Sequence, residues 1–426
     1  MNTESMKRWT TLAAYDVIVI GGGAAGMFSA ATAAFAGSKV LLLEKTNRFG
    51  WKLSITGKGR CNITNHASAE TVRSNVLRNP RFLYSCLEQF PPQKATETFE
   101  SMGVPLKTER GDRVFPVSDQ AGDVVAALRS AMQRSGVEAK RCAVEGLILQ
   151  DGAISGVKTA RGNLYAPKVI LATGGLSYPQ TGSTGDGYEM AKSAGHTIIP
   201  CEGSLVPLEF TGGECRAAAG LSLRNVGLKL WDGHKKPIYT DFGEALFMNY
   251  GMSGPIILSA SAHIAEKKVP YTISLDLKPA LDEKKLDERM LRDFSERQNQ
   301  NIYDGLRGLL PAKLVPLILG RCGLSAHMTV RDITKQERRK ILETMKDLRF
   351  TVARKRPVDE AIITRGGVKV SEVDPKTMES KLCPGLYFAG EILDVDAYTG
   401  GFNLQIAWST AWAAGTSCGK NGRNVV

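Results

Sequence analysis

The first clear signal along the chain is an apolar run without alternation, Tyr15-Asp16-Val17-Ile18-Val19-Ile20, the pattern of a strand covered on both faces. It passes directly into Gly21-Gly22-Gly23-Ala24-Ala25-Gly26 and then into a small-residue, helix-prone stretch reaching Ala36. A second apolar run, Lys39 to Leu43, stops at Glu44. Strand, helix and strand at this spacing predict a β-α-β unit with parallel strands and a right-handed crossover. Two later apolar runs behave alike: Val169 to Ala172 gives way to Thr173-Gly174-Gly175, and Leu386 to Ala389 gives way to Gly390-Glu391. Three strands thus end in glycine-bearing turns.

Between about residue 195 and residue 372 the pattern changes. Val226, Leu228 and Leu230 alternate with other residues ahead of Asp232-Gly233, and Tyr271 to Leu277 follows, as expected of antiparallel strands. Asp332 to Leu348 has helical spacing, with Thr334 and Glu337 placed as a capping box ahead of Ile341, Leu342, Met345 and Leu348. The expected fold is α/β: a Rossmann-type domain with an inserted antiparallel β domain and a helical subdomain. Residues 1–194 would form the first part of the nucleotide-binding domain, 195–278 with 350–372 the β insert, 279–349 the helical subdomain, and 373–426 the completion.

Composition bounds this picture. The 426 residues suffice for two or three domains at about 100 to 200 residues each. With 43% hydrophobic and 23% charged residues the chain has the make-up of a folded enzyme, not of a disordered one. No stretch approaches the roughly 20 apolar residues of a membrane helix, and Val17 to Ile20 is too short for a signal-peptide core. A cytoplasmic protein with no membrane partner is expected. The eight cysteines fall singly, without a CxxC pair, which predicts reduced thiols and neither a zinc ribbon nor a disulfide framework. Net charge is +12, and between Lys45 and Arg113 there are 12 Lys/Arg against 6 Asp/Glu. That excess suits either a solvated basic face or an anionic partner, a phosphate-bearing cofactor or nucleic acid.

Gly21, Gly23 and Gly26 fit G-x-G-x-x-G between strand and helix, where missing side chains permit a tight turn and let a pyrophosphate approach the helix N-terminus. Glu44, 18 residues beyond Gly26, stands where a carboxylate accepts hydrogen bonds from both hydroxyls of an adenosine ribose. There is no second strand-GxGxxG-helix unit, since the glycines of Gly182 to Gly187 have the wrong spacing. A nicotinamide donor then has no dedicated domain and must visit and leave, a ping-pong scheme. The histidines at 66, 196, 234, 263 and 327 show no ligand or triad spacing, so no metal site is expected. Cys61 is the most suggestive thiol, since neighbouring Arg60 could favour its thiolate, but packing or flavin contact without chemistry is its preferred role. Tyr178 and Tyr398 lie beside glycine motifs, where a phenol can donate a proton, polarise a carbonyl, or simply pack.

Taken together, Val169-Ile170-Leu171-Ala172-Thr173-Gly174-Gly175 and Gly385-Leu386-Tyr387-Phe388-Ala389-Gly390-Glu391 resemble motifs of the glutathione-reductase-type flavoproteins. Four further stretches narrow the likeness to the aminoacetone-oxidase-type FAD-binding family, over nearly the whole chain from Tyr15 to Gly415. They are Thr56-Gly57-Lys58-Gly59-Arg60-Cys61-Asn62-Ile63-Thr64-Asn65, Gly182 to Gly187, Gly251-Met252-Ser253-Gly254-Pro255 and Thr399-Gly400-Gly401-Phe402-Asn403. Trp51 and Lys58 depart from the pattern, where relatives more often carry a basic residue and a glycine. The resemblance implies noncovalent FAD held by Gly21, Gly23, Ala25, Gly26, Glu44, Lys45, Lys52, Arg60, Cys61, Asn62, Val144, Thr173, Gly174, Gly390, Glu391, Asn403 and Leu404. Physically, Gly400 and Gly401 let backbone approach a flat ring, and the helix-prone Asn403 to Ala414 presents free N–H groups to it. A positive helix end there would stabilise an anionic reduced flavin.

The resemblance further implies an NAD(P)/FAD-dependent oxidoreductase, with members assigned as amine oxidases, as reductases of 3-oxo-4-ene bile acids, or as dihydrouridine-forming enzymes for ribosomal RNA. The expected reaction takes hydride from transiently bound NAD(P)H onto flavin N5 and passes it to the β-carbon of an alkene conjugated to a carbonyl. A 3-oxo-4-ene steroid and a uracil ring both meet that description, so the partner is a small enone or ribosomal RNA. Cys61, Tyr178 and Tyr398 are the candidate catalytic side chains. Two other classes stay open: oxidation of a small aminoketone with O₂ as acceptor, and a non-catalytic flavin-bearing RNA-binding protein using the basic 45–113 segment. For the latter, no stretch pairs the cations with an aromatic stacking platform. Oligomeric state is not legible.

Overall fold

Val17–Ile20 (β1), Val40–Glu44 (β2), Glu138–Arg141 (β3), Lys168–Leu171 (β4) and Leu386–Phe388 (β5) form one sheet in the computed structural model, which describes residues 14–265 and 270–419. The order is β5-β4-β1-β2-β3, and every neighbouring pair is parallel. All of β1 and β2 is buried, which is why they read as unbroken apolar runs. β3, by contrast, is the exposed edge Glu-Ala-Lys-Arg, with no apolar signal at all. The chain leaves β1 for β2 and β3 on one side and later returns to place β4 and β5 on the other. A crevice therefore opens beyond the carboxyl ends of β1 and β4.

Helix α1 (Ala24–Phe35) lies against the sheet and packs on α2 (Phe402–Cys418). Its close approach depends on Gly26, where an added Cβ would stand 1.8 Å from the Gly21 carbonyl oxygen. Rings from three segments fill the space beside these helices. Phe90 stacks on Trp412 at 5.0 Å between centroids, and Phe28 meets Phe90 edge-on at 5.2 Å. Trp408 Nε1–H donates to the Ile63 carbonyl at 2.9 Å, tying α2 to the Arg60 to Asn65 segment.

Leu205–Glu360 is a separate compact unit. Its core is a closed antiparallel barrel ordered Leu208–Phe210, Gly251–Ser253, Tyr239–Phe247, Ser222–Trp231, Thr272–Asp276 and Leu348–Lys355. Val226, Leu228 and Leu230 are buried, as their alternation predicts. The capping box is present, with Glu337 N–H donating to Thr334 Oγ1 at 3.2 Å and Thr334 N–H to the Glu337 carboxylate at 2.8 Å. The helix it starts, Lys335–Lys346, is shorter than expected, because Leu348 opens a barrel strand.

Two of the expected boundaries need correction. The helices of 279–349 share one core with the barrel, Leu286, Ile318 and Ile341 clustering with Leu228, Ile273 and Phe350, so they are not a subdomain apart. Ile198–Ser204 and Ile363–Val368 were expected within the insert, yet they pair antiparallel with each other in the nucleotide-binding unit. The junctions fall at 205 and 360. Among the described residues no helix is long and apolar enough to cross a membrane.

Candidate active site

At the end of β2 the Glu44 carboxylate turns back over the β1 turn: Oε2 accepts Gly22 N–H at 2.6 Å and Oε1 accepts Thr46 N–H at 2.7 Å. Gly21 turns the chain out of β1, and Gly23, which opens α1, has nothing within 4 Å of where a Cβ would stand. The first turn of α1 is therefore open to an approaching group. Ala25 is buried just inside it, and Gly390, past β5, comes up against Ala25 so closely that a Cβ there would lie 2.8 Å from the Ala25 methyl. Past β4, the Thr173 hydroxyl is buried with no partner among the described residues, and Gly174 follows. The Lys45 ammonium bonds to Thr184 and Asp186 of the Gly182 to Gly187 loop. Val144 begins the strand Val144–Gln150, just after Cys142, whose N–H donates to the Glu44 carbonyl at 2.8 Å.

Lys52 and Glu391 make the central polar knot. Lys52 Nζ lies 2.7 Å from Glu391 Oε2 and 2.6 Å from Ser177 Oγ. Glu391 Oε1 accepts the Ser177 hydroxyl at 2.8 Å and Thr364 N–H at 2.9 Å. Thr364 Oγ1 in turn accepts Leu176 N–H at 2.7 Å. Burial pushes the Glu391 carboxyl up, but the Lys52 ammonium and these donors outweigh it and hold the group below the usual carboxylate range. Four segments distant in sequence are thereby stitched together. Ser177, Thr364 and Asp186 were missed from sequence. The available signal was their position next to the glycine pairs Gly174-Gly175 and Gly366-Gly367 and within the Gly182 to Gly187 loop.

The Thr56 to Asn62 turn holds two non-glycine residues in the left-handed region, Lys58 at φ +60° and Cys61 at φ +59°. The resemblance leads one to expect glycine at Lys58, and a left-handed backbone there is where glycine is at no disadvantage. The Asn62 amide, oriented with Nδ2 donating to the Thr64 and Val114 carbonyls at 3.0 and 3.1 Å, accepts Gly401 N–H at 2.9 Å. Gly401 is obligatory there: its φ is +97°, and a Cβ would lie 2.3 Å from the Thr64 carbonyl oxygen. It caps α2, whose first N–H groups have no intrahelical acceptor. Asn403 Oδ1 accepts Ala397 N–H at 2.9 Å and its Nδ2 donates to the Ala397 carbonyl at 2.8 Å, with half-buried Leu404 beside it.

At Cys61 the packed alternative, not the thiolate, fits the fold. The side chain is fully buried, and burial pushes the thiol up to about 12. Arg60, expected to favour ionisation, is engaged elsewhere: Nε donates to Asp119 at 2.8 Å, Nη2 bonds to Glu109, and the guanidinium lies 4.2 Å from the Phe115 ring centroid. The basic 45–113 segment is partly neutralised, while Arg48, Lys58 and Arg81 in it stay exposed. Lys45, Lys52, Arg60, Arg78 and Lys107 are ion-paired, and their partners Asp186, Glu391, Asp119 and Asp394 lie outside the segment. Tyr178 is half-buried beside Ser177, and Tyr398 is held through its backbone by Asn75 and by the Asn403 amide. The two tyrosines thus lie in different segments, one beside Ser177 and one beside Asn75 and Asn403.

An open helix N-terminus, a buried hydroxyl without a partner and a free α2 N-terminus fit a long dinucleotide lying across the sheet ends. Fold and crevice define an FAD-dependent oxidoreductase with a Rossmann-type cofactor domain. The chain matches the family described as HI0933-like protein Rossmann domain over residues 15–417, and it belongs to that family. It is 30% identical over 416 residues to the 3-dehydro-bile acid delta(4,6)-reductase of Clostridium scindens, covering 94% of this chain and 98% of that protein. It is also 30% identical over 411 residues to the ribosomal RNA dihydrouridine synthase of Escherichia coli, covering 94% and 96%. Among solved structures it is similar to the 3-ketosteroid delta1-dehydrogenase from Sterolibacterium denitrificans, with a TM-score of 0.51 at 14% identity over 95% of this chain and 99% of that one. That likeness concerns the fold.

Lys52→Met leaves a buried carboxylate without its cation and is expected to cost about 3 kcal/mol against urea at neutral pH. Adding Glu391→Gln should recover much of the loss. Because the Glu391 carboxyl is depressed, the pair's contribution is complete above the ordinary value of about 4.3 and is lost as pH falls through the lower folded value. Wild type and Lys52→Met should therefore converge in acid, and equal stability at neutral pH would contradict the assignment. Cys61→Ala should retain FAD and keep the shape of the pH–rate profile between roughly pH 6 and 10, since a thiol this high stays protonated. An ionisation that vanishes from that window would give Cys61 a titrating role.

Proposed function

We propose that the protein is a cytoplasmic reductase that uses NAD(P)H to saturate a carbon–carbon double bond conjugated to a carbonyl. The observation that carries this reading is the pair of full-length relatives. A delta(4,6)-reductase of a 3-dehydro-bile acid and a dihydrouridine synthase act on different molecules, yet both names describe reduction of an alkene joined to a carbonyl system. The single parallel sheet among the described residues supports a scheme in which donor and acceptor take turns at one crevice.

FAD, when bound, supplies hydride acceptance from the nicotinamide and delivery to the substrate β-carbon. The Gly21 to Gly26 turn and the α1 N-terminus hold the pyrophosphate, and Glu44 holds the adenosine ribose. Gly174, Gly390 and the Lys52–Glu391 pair keep the three sheet ends in register around the cofactor. The free N–H groups of α2 favour negative charge beside them. Tyr178 or Tyr398 polarises the substrate carbonyl and provides the α-proton, leaving Cys61 to packing.

Steady-state assays with NADH and NADPH test this directly, using a 3-oxo-4-ene acid and a uridine-containing RNA. The expected result is loss of the nicotinamide absorbance matched by a product heavier by two hydrogens. Consumption of an aminoketone with O₂, and no change in either enone, would replace the reductase with an amine oxidase.

A further inference from the structure

The outer face of the barrel unit carries two rows of side chains that the reaction does not use. Across Ser222–Trp231, Thr272–Asp276 and Leu348–Lys355 the paired positions run Lys229, Ser274, Arg349 in one row and Trp231, Thr272, Thr351 in the next. Their strand neighbours Leu228, Leu230, Ile273, Leu275 and Phe350 are buried in the barrel, so both rows lie on the opposite face. Arg321, from the helix Val315–Cys322, donates through Nη2 to the Arg349 carbonyl at 3.0 Å and lengthens the cationic row. Thr211 N–H donates to the Thr351 carbonyl at 3.0 Å and lengthens the hydroxyl row. Thr211, Glu214, Thr272, Arg321, Arg349 and Thr351 line an open cleft of about 360 Å³, with Lys229 and Trp231 on the strand alongside it.

The donors in this cleft outnumber what the protein asks of them. Arg321 uses Nη2 for Glu214 and the Arg349 carbonyl, which leaves Nε and Nη1. Arg349 uses Nε for Asp347 at 2.8 Å, which leaves both terminal nitrogens, and its guanidinium lies 5.9 Å from the Trp231 ring centroid. Unused guanidinium edges beside threonine hydroxyls call for an anionic, acceptor-rich ligand, and phosphate oxygens are the best match. Two strand spacings of about 4.8 Å make the Lys229 to Arg349 row about 10 Å long. With exposed Lys229 and Arg349 at its two ends and buried Ser274, bonded to Asp347, between them, the row suits two separated phosphates of an extended polyanion better than a lone phosphate. Cations along a groove beside an aromatic face are how single-stranded nucleic acid is held.

We propose that this face of the barrel binds single-stranded RNA, with phosphates on the Lys229–Arg349–Arg321 row and a base against Trp231. The choice of RNA rests on the uracil form of the reductase reading; the site rests on the barrel alone. Fluorescence anisotropy of a labelled uridine oligomer of about 12 nucleotides with the holoprotein, from about 50 to 300 mM salt, measures it. Wild type should weaken with salt, log K falling about 0.7 for each phosphate contact. Lys229→Gln and Arg349→Gln alter exposed side chains, and each should weaken binding several-fold and reduce that slope by about 0.7. Trp231→Leu should weaken binding and leave the slope alone. Unchanged flavin content and melting midpoint establish that each variant is folded.

Binding by the variants at the wild-type affinity and slope would overturn the proposal. Full displacement by millimolar inorganic phosphate would also overturn it, in favour of a single-phosphate pocket. The assay needs neither nicotinamide nor turnover. Salt-dependent binding lost in the variants of a protein that reduces no enone would sink the reductase reading and leave this surface standing.

Discussion

The contact between Gly26 and the Gly21 carbonyl sets the geometry on which the rest depends. With 1.8 Å between that oxygen and any added Cβ, only glycine lets α1 begin directly beyond β1 and stay against the sheet. The first turn of α1 then points its free N–H groups at the carboxyl edge of the sheet, where they meet the turns after β2, β4 and β5. Parallel strands cannot be joined by hairpins, so those turns come from residues hundreds of positions apart. The Lys52–Glu391 pair, with Ser177 and Thr364, is what fixes them to one another. A second contact of the same kind, Gly401 on the Thr64 carbonyl, brings the N-terminus of α2 to the Arg60 to Asn65 segment.

Electrostatics in the two units follow opposite courses. In the nucleotide-binding unit the local excess of lysine and arginine is partly offset from outside its own segment, by Asp119, Asp186, Glu391 and Asp394. Those pairs tie the turns around the cofactor crevice to one another. On the barrel, strand pairing gathers Lys229, Arg349 and Arg321 from separate segments and sets Trp231 beside them. A basic run in sequence and a basic face in space are different things, and here they lie in different units.

The same distinction decides what could be read from the chain. β1, β2, β4 and β5 are buried on both faces and announce themselves as apolar runs, and their glycine turns locate the crevice. β3 is invisible because an exposed edge strand, Glu-Ala-Lys-Arg, needs no apolar residue. Tyr239–Phe247 escaped for a related reason, since only Ala245 and Phe247 of its residues are buried. Cys61 shows the limit for chemistry. Adjacency to Arg60 suggests a thiolate, whereas the fold sends the guanidinium to Glu109 and Asp119 and the thiol into the core. Ser177 and Thr364 are unremarkable in sequence and become functional candidates only when β4, β5 and Ile363–Val368 meet around Glu391.

In the proposed reductase one flavin crevice serves both half-reactions, since the described residues hold no second parallel sheet, and NAD(P)H must reduce the flavin there. Anaerobic stopped-flow mixing of the purified holoprotein with NADH and with NADPH tests it most directly. Rapid bleaching of the flavin absorbance is expected with at least one donor before any substrate is added, as a ping-pong enzyme requires. A flavin that stays oxidised with both donors, yet bleaches on mixing with an aminoketone, would contradict it.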